Sequence, residues 1–186
     1  MNEEFYPQES LGKSVMRELF DWVEAGMVAV VAVVLLFTFV ARMAGVDGES
    51  MLPTLCHNDR LIITRMLYEP ARGDIVVVTK PNSRGEPLVK RVIATGGQVV
   101  DIDFQQGVVY VDGEALDEHY VAEPTYTGYD VEFPQTVPQG HVFVMGDNRN
   151  ASWDSRTSAV GMVDERYILG KVIYRLMPYT KMGVPK

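Results

Sequence analysis

Ser50 and Lys90 are the two side chains best suited, by type and context, to do chemistry together. Ser50 lies in Val46-Asp47-Gly48-Glu49-Ser50-Met51-Leu52-Pro53-Thr54-Leu55, a turn-rich stretch where Gly48 lets the backbone approach a ligand or take a positive φ. A serine hydroxyl is a weak nucleophile until a base removes its proton. The three histidines, His57, His119 and His141, are far apart and form neither a triad nor a metal-ligand spacing. A lysine can be the base if it is neutral. An ordinary lysine, with a pKa of about 10.4, is neutral in about one molecule in 2,500 at pH 7. Burial among apolar groups lowers that pKa by up to about 3–5 units. Lys90 has such neighbours, in Pro87-Leu88-Val89-Lys90-Arg91-Val92-Ile93. Strand alternation points Lys90 and Arg91 to opposite faces, so only one of them is expected to be buried with the core. Taken alone, these patterns also describe an exposed strand lysine and a plain turn. Backbone N–H groups in the serine turn, that of Ser50 first, are candidates to bind a developing oxyanion.

The elements that must position this pair are β-strands. After Gly45 short apolar runs alternate with Gly, Pro and Asp turns. Strands are expected at 59–65, 74–79, 88–94, 99–104, 108–111, 140–146 and 167–176, the last interrupted by Gly170. Asp112-Gly113 suits a type I′ hairpin. Residues 117–139 resist assignment, and a short helical turn is expected near 164–167. The chain reads as mainly β, an antiparallel sheet domain behind one N-terminal helix.

Ahead of it, Ala25 to Ala41 is an apolar run without a charge. At about 1.5 Å per residue it spans roughly 25 Å, a little short of a hydrocarbon core of about 30 Å. Trp22 and Arg42 can extend it by resting at the interface and snorkelling. Three segments are expected: a cytoplasmic lead over 1–24, helical near 14–24; a transmembrane anchor helix over 25–43; and an extracytoplasmic β-rich domain over 44–186. A cleaved secretory signal fits less well, because the lead is long and more acidic than basic, and Arg42 stands where a small residue is wanted. The loop charges favour a cytoplasmic N-terminus only weakly. The net charge of −8 argues against a nucleic-acid partner, and the single cysteine, Cys56, rules out an internal disulfide.

A third cluster, Gly146-Asp147-Asn148-Arg149-Asn150-Ala151-Ser152-Trp153-Asp154-Ser155-Arg156, is dense in turn residues, charges and hydroxyls. With it, three separated segments match one family in order and spacing. The chain resembles the type I (leader) signal peptidases in their short, Gram-positive-like form. Ser50-Met51-Leu52-Pro53-Thr54 is similar to the nucleophile box, Lys90-Arg91 to the general-base box, and Gly146 to Arg156 to the C-terminal box. The resemblance implies a membrane-bound serine endopeptidase that removes signal peptides from exported preproteins, cutting after Ala-x-Ala-like sequence. It implies Ser50 as nucleophile and Lys90 as base. Ser152 would orient Lys90, and Asp147, Asp154 and Arg156 would brace the loop. It implies no metal or other cofactor, and a bacterial cell membrane with the catalytic domain outside. Met51, Leu52 and Leu55 are the first candidates for apolar surface facing substrate or lipid. The box usually carries Asp and Asn before its serine, and Asn150 and Ala151 depart from that. Where some members carry a hydroxyl oxyanion donor, this chain has Gly48. Trp153 is expected to be a loop anchor rather than a substrate contact. Two alternatives stand: a non-catalytic pilus-assembly relative of the same fold, and another Ser/Lys autoprotease such as the SOS-repressor type.

Overall fold

The computed structural model describes residues 11–35, 41–79 and 86–185, with the side chains of 11–14 left aside. The chain divides into two compact units, 1–40 and 41–186. In the first, α1 (Leu11–Leu35) is one continuous helix. It joins the expected lead helix to the start of the apolar run, because nothing between Glu24 and Ala25 breaks helical propensity. Residues 36–40, the end of that run, lie outside the described residues. Among the described residues no helix is long and apolar enough to cross a membrane.

The second unit is antiparallel β, as the alternation and turns predict. Its strands are β1 (Arg42–Gly45), β2 (Arg60–Thr64), β3 (Ile75–Val78), β4 (Leu88–Thr95), β5 (Val99–Asp103), β6 (Val108–Val111), β7 (Glu114–Ala115), β8 (Gln135–Thr136), β9 (His141–Met145), β10 (Val163–Asp164) and β11 (Ile168–Met177). Seven form one sheet in the order β1-β2-β11-β3-β4-β9-β10, and four form a second, β7-β6-β5-β8. Where the helix was expected to run on to residue 43, Arg42–Gly45 is instead an edge strand paired with β2. The β6–β7 turn places Asp112 and Gly113 at φ 55° and 81°, as a type I′ bend requires. The excursion over 117–139 contributes only β8, and Glu165–Tyr167 forms the expected turn as a 3₁₀ helix.

Three apolar clusters hold this unit. Ile75 and Val77 of β3 face one, with Met51, Leu55, Leu61, Ile63 and Val89. Val76 and Val78 face another, with Val92, Val142, Val144 and Ile168. Both faces of β3 are therefore covered, which is why Ile-Val-Val-Val reads without alternation. The third cluster joins Ile93, Ala94, Phe143 and Met145 to the second sheet through Val100, Ile102, Val109 and Val111. A register shift between Val92 and Ala94 lets both Ile93 and Ala94 reach it.

The covering of both faces corrects one expectation. Lys90 is 2% exposed and Arg91 4%, so both members of the doublet are buried although alternation sends them to opposite sides. Met51 and Leu55, expected at a surface, are 1% and 0% exposed. They fill the cluster beneath the serine turn, because the turn folds its apolar side onto β2, β3 and β4. Leu52 is half-buried.

Candidate active site

Ser50 and Lys90 come together. Lys90 Nζ lies 2.7 Å from Ser50 Oγ, donating to it, and also donates to the Val89 carbonyl at 3.0 Å. The serine sits in a compact turn, with Leu52 N–H donating to the Glu49 carbonyl and Leu55 N–H to that of Met51. The lysine sits mid-strand in β4, held by β3 on one side and β9 on the other. The pair lies in a cleft of about 380 Å³, lined by Gly45, Val46, Leu88, Val89, Ala151 and Trp153 among others. Trp153 also packs on the apolar cluster around Val76 and Val92, so it is both loop anchor and cleft wall. Among the described residues the Ser50 N–H meets no acceptor, which leaves it available to an oxyanion.

Asp147 does more than brace its own loop. Its carboxylate, fully buried, takes a bidentate pair from Arg91, Nε at 2.8 Å and Nη2 at 2.7 Å, and a hydrogen bond from Thr54 Oγ1 at 2.5 Å. One carboxylate thus ties the serine turn to the lysine's own strand. Arg91 completes its contacts by donating to the Gly73 carbonyl at 2.9 Å and lying 3.9 Å over the Tyr120 ring. The Asn148 N–H and side-chain amide donate to the carbonyls of Ser50 and Glu49 at 3.0 and 3.1 Å. Sequence reasoning passed over Thr54, Arg91 and Asn148 as functional. The only signal was an arginine next to a lysine in an apolar strand, which needs an acid that no local pattern identifies.

Asp154 and Arg156 are both fully buried and pair through Nε and Nη2, each at 2.9 Å. Asp154 also accepts from the Gly146 N–H at 3.0 Å, and Arg156 donates to the carbonyls of Arg149 and Thr127. These contacts tie both ends of the loop together. Ser152 is 1% exposed, and among the described residues its Oγ meets no hydrogen-bond partner. It packs against Gly146, where any Cβ would collide with Ser152 Oγ and the Ser50 carbonyl oxygen. Asn150, a departure from the family pattern, accepts from the amides of Tyr126 and Thr127 and donates to Glu123 and the Pro124 carbonyl. It pins the irregular excursion to the site loop. Ala151, the other departure, is exposed and leaves room in the cleft.

Further charges back the loop. Arg149 lies 2.6 Å from Glu118, a contact of charges not aligned as a hydrogen bond, and donates to Thr125 Oγ1 at 3.0 Å. Burial pulls the Arg149 guanidinium pKa down, but the Glu118 carboxylate outweighs it and the net shift is upward. Tyr120, between Arg91 and Arg149, is pushed up to about 12 by burial and then by Glu118. Among the described residues no three His, Cys, Asp or Glu side chains converge to hold a metal ion.

An antiparallel β domain thus sets a serine hydroxyl, a nucleophile by type, against a buried lysine amine. The chain belongs to the signal peptidase, peptidase S26 family, whose sequence profile matches residues 19–177. It is 40% identical over 167 residues to a probable signal peptidase I-1 of Synechocystis sp., covering 84% of this chain and 82% of that protein. It is 33% identical over 180 residues to signal peptidase I S of Bacillus subtilis, covering 91% and 95%. The crystal structure of a signal peptidase I from Enterococcus faecalis aligns with a TM-score of 0.44 at 30% identity, over 56% of this chain and 97% of that one.

Replacing Asp147 by Asn leaves Arg91 buried with its charge unmatched. Unfolding in urea is expected to show a loss of about 3–5 kcal/mol. Arg91→Met with Asp147→Leu, which removes both charges, is expected to restore most of it. A double variant no better than the single one would deny the pair its role.

Proposed function

We propose that this protein is a membrane-bound signal peptidase I that cleaves signal peptides from exported preproteins with a Ser50–Lys90 dyad. The carrying observation is the 2.7 Å contact between Ser50 Oγ and a lysine that is 2% exposed. Family membership makes the protein a serine endopeptidase acting on signal peptides. Burial disfavours the ammonium form of a lysine and so favours the free amine a base must be. With the amine neutral the same contact reverses. Ser50 Oγ–H donates to Lys90 Nζ, the proton passes to Nζ as Oγ attacks the scissile carbonyl, and the Ser50 N–H faces the oxyanion. Lys90 then gives the proton to the leaving amine. Water, activated by the same amine, releases the acyl-enzyme. A cleft walled by Gly45, Val46, Val89 and Ala151 suits small side chains before the bond, in keeping with an Ala-x-Ala-like cut.

The membrane role rests on the 25–41 run and on the exposed apolar side chains of α1, Val28, Val30, Val31, Val33 and Val34. In this reading the apolar run from residue 25, expected to reach 43 but giving way to β1 at Arg42, anchors the chain once, with the lead in the cytoplasm and the β domain outside a bacterial cell membrane. Retention of Lys90 favours the enzyme over a non-catalytic pilus-assembly relative, and the apolar run favours it over a soluble autoprotease.

Four outcomes test the proposal. Ser50→Ala and Lys90→Ala each abolish processing of a model preprotein while the protein stays folded. Lys90→Arg fails as well, since arginine does not become a neutral base; activity of that variant within about tenfold of the parent removes lysine from the mechanism. Activity of the parent rises with pH, because only the deprotonated amine is a base, and a flat kcat/KM profile through the neutral and alkaline range would contradict this. In flotation with liposomes the full-length protein rises with the vesicles and a chain lacking residues 1–40 rises less. Equal recovery of the two would take the membrane role from the helix.

A further inference from the structure

The loop that carries Ser50 is closed at its base by paired backbone. Val46 N–H donates to the Asp59 carbonyl and Asn58 N–H to that of Val46, each at 2.9 Å. Its far limb is fixed by buried Asp59, which accepts from the Cys56 N–H at 3.0 Å and from Arg175 at 3.2 Å, while Arg175 also holds the Thr54 carbonyl. The near limb, Asp47 to Glu49, has a different tie. The Gly48 N–H donates to His57 Nδ1 at 3.2 Å, with Gly48 at φ +88°. This is the last bond across the loop before the serine, two residues on. It fixes the position where the family pattern can carry a hydroxyl donor to the oxyanion. The same His57 Nδ1 lies 3.1 Å from Asp47 Oδ1.

A neutral imidazole with its proton on Nε2 accepts at Nδ1. A protonated imidazole has no acceptor. Protonation therefore breaks the Gly48 bond and turns the new Nδ1–H toward Asp47. Histidine is the side chain whose ordinary titration falls between pH 5 and 8. The other titratable groups around the ring are Cys56 and Asp59 from its own limb, and Tyr179 and Lys181 from the C-terminal segment, which share a hollow with it.

We propose that His57 is a positioning residue for the nucleophile turn, holding Gly48 in the neutral form and releasing it when protonated. The proposal rests on Ser50 being the nucleophile. It adds to the lysine a second proton-sensitive group, one that acts on the turn through the Gly48 backbone rather than on substrate.

The test uses the full-length protein in detergent, with His57→Ala, which removes the acceptor, and His57→Asn, whose side-chain oxygen can accept from Gly48 but does not titrate. At alkaline pH, His57→Ala is expected to lower kcat about three- to tenfold, the worth of one hydrogen bond, with KM unchanged. His57→Asn is expected to restore kcat. The ratio of parent to His57→Asn activity should climb from below one in acid to about one in alkali, and because both share Lys90 its ionisation cancels. In the parent the Gly48 amide resonance should move with the His57 ring titration, and in His57→Asn it should stay still. A kcat for His57→Ala equal to the parent's, or a Gly48 amide indifferent to the ring's titration, overturns the proposal. The resonance measurement repeated on Ser50→Ala needs no turnover, so the tie is judged separately from the dyad; processing by Ser50→Ala would instead overturn the dyad.

Discussion

The site depends on one buried ion pair. Asp147 and Arg91 bring opposite charges together in a place water does not reach, and Thr54 shares the carboxylate. Neither ion is stable there alone, so each dictates where the other must be. Arg91 is the covalent neighbour of Lys90, and Thr54 lies four residues past Ser50. Fixing these two fixes the distance between amine and hydroxyl. The pair's worth is geometric: taking charges out of water repays little net stability, but few arrangements satisfy it. Arg156 and Asp154 repeat the device one turn of chain away, and Arg149 with Glu118 and Tyr120 extends it toward the second sheet.

The strand framework explains how a lysine is kept dry in a small protein. A sheet with one wet face would leave either Lys90 or Arg91 in water. Here β3 and the first half of β4 are covered on both sides, by the cluster around Met51 and Leu55 and by the cluster around Val142 and Val144. The serine turn is itself part of that cover, since Met51 and Leu55 are driven in as anchors. The proposed nucleophile and the residues that seal the core belong to the same short segment.

Much of this was legible in the sequence. Residues 74–79 announced a strand and Asp112-Gly113 a hairpin, and the three separated boxes singled out Ser50 and Lys90. The β1, β7, β8 and β10 strands were not legible. They are two to four residues long and are defined by a partner's hydrogen bonds rather than by a pattern of their own. The double burial of Lys90 and Arg91 was hidden because a period of two foretells one buried face and says nothing of what covers the other. Met51 and Leu55 were misjudged for a related reason: apolar residues beside a nucleophile look alike whether they face a ligand or the core. The roles of Thr54, Asn148 and Asn150 come from contacts with segments far off in the chain, where no local rule reaches.

The spacing of those contacts carries a consequence for the order of events in synthesis. Ser50 meets Lys90 40 residues later, Arg91 meets Asp147 56 residues later, and Thr54 meets the same carboxylate 93 residues later. A ribosome has made both reacting side chains well before it makes the carboxylate that sets them in register. Contacts of such long range also form late in folding, since loop closure must come first. Ser50 and Lys90 therefore exist for a time in the growing chain without being held together. With these two as the proposed dyad, a protease assembled in this order stays inert while its own unfolded segments are the peptides nearest to hand.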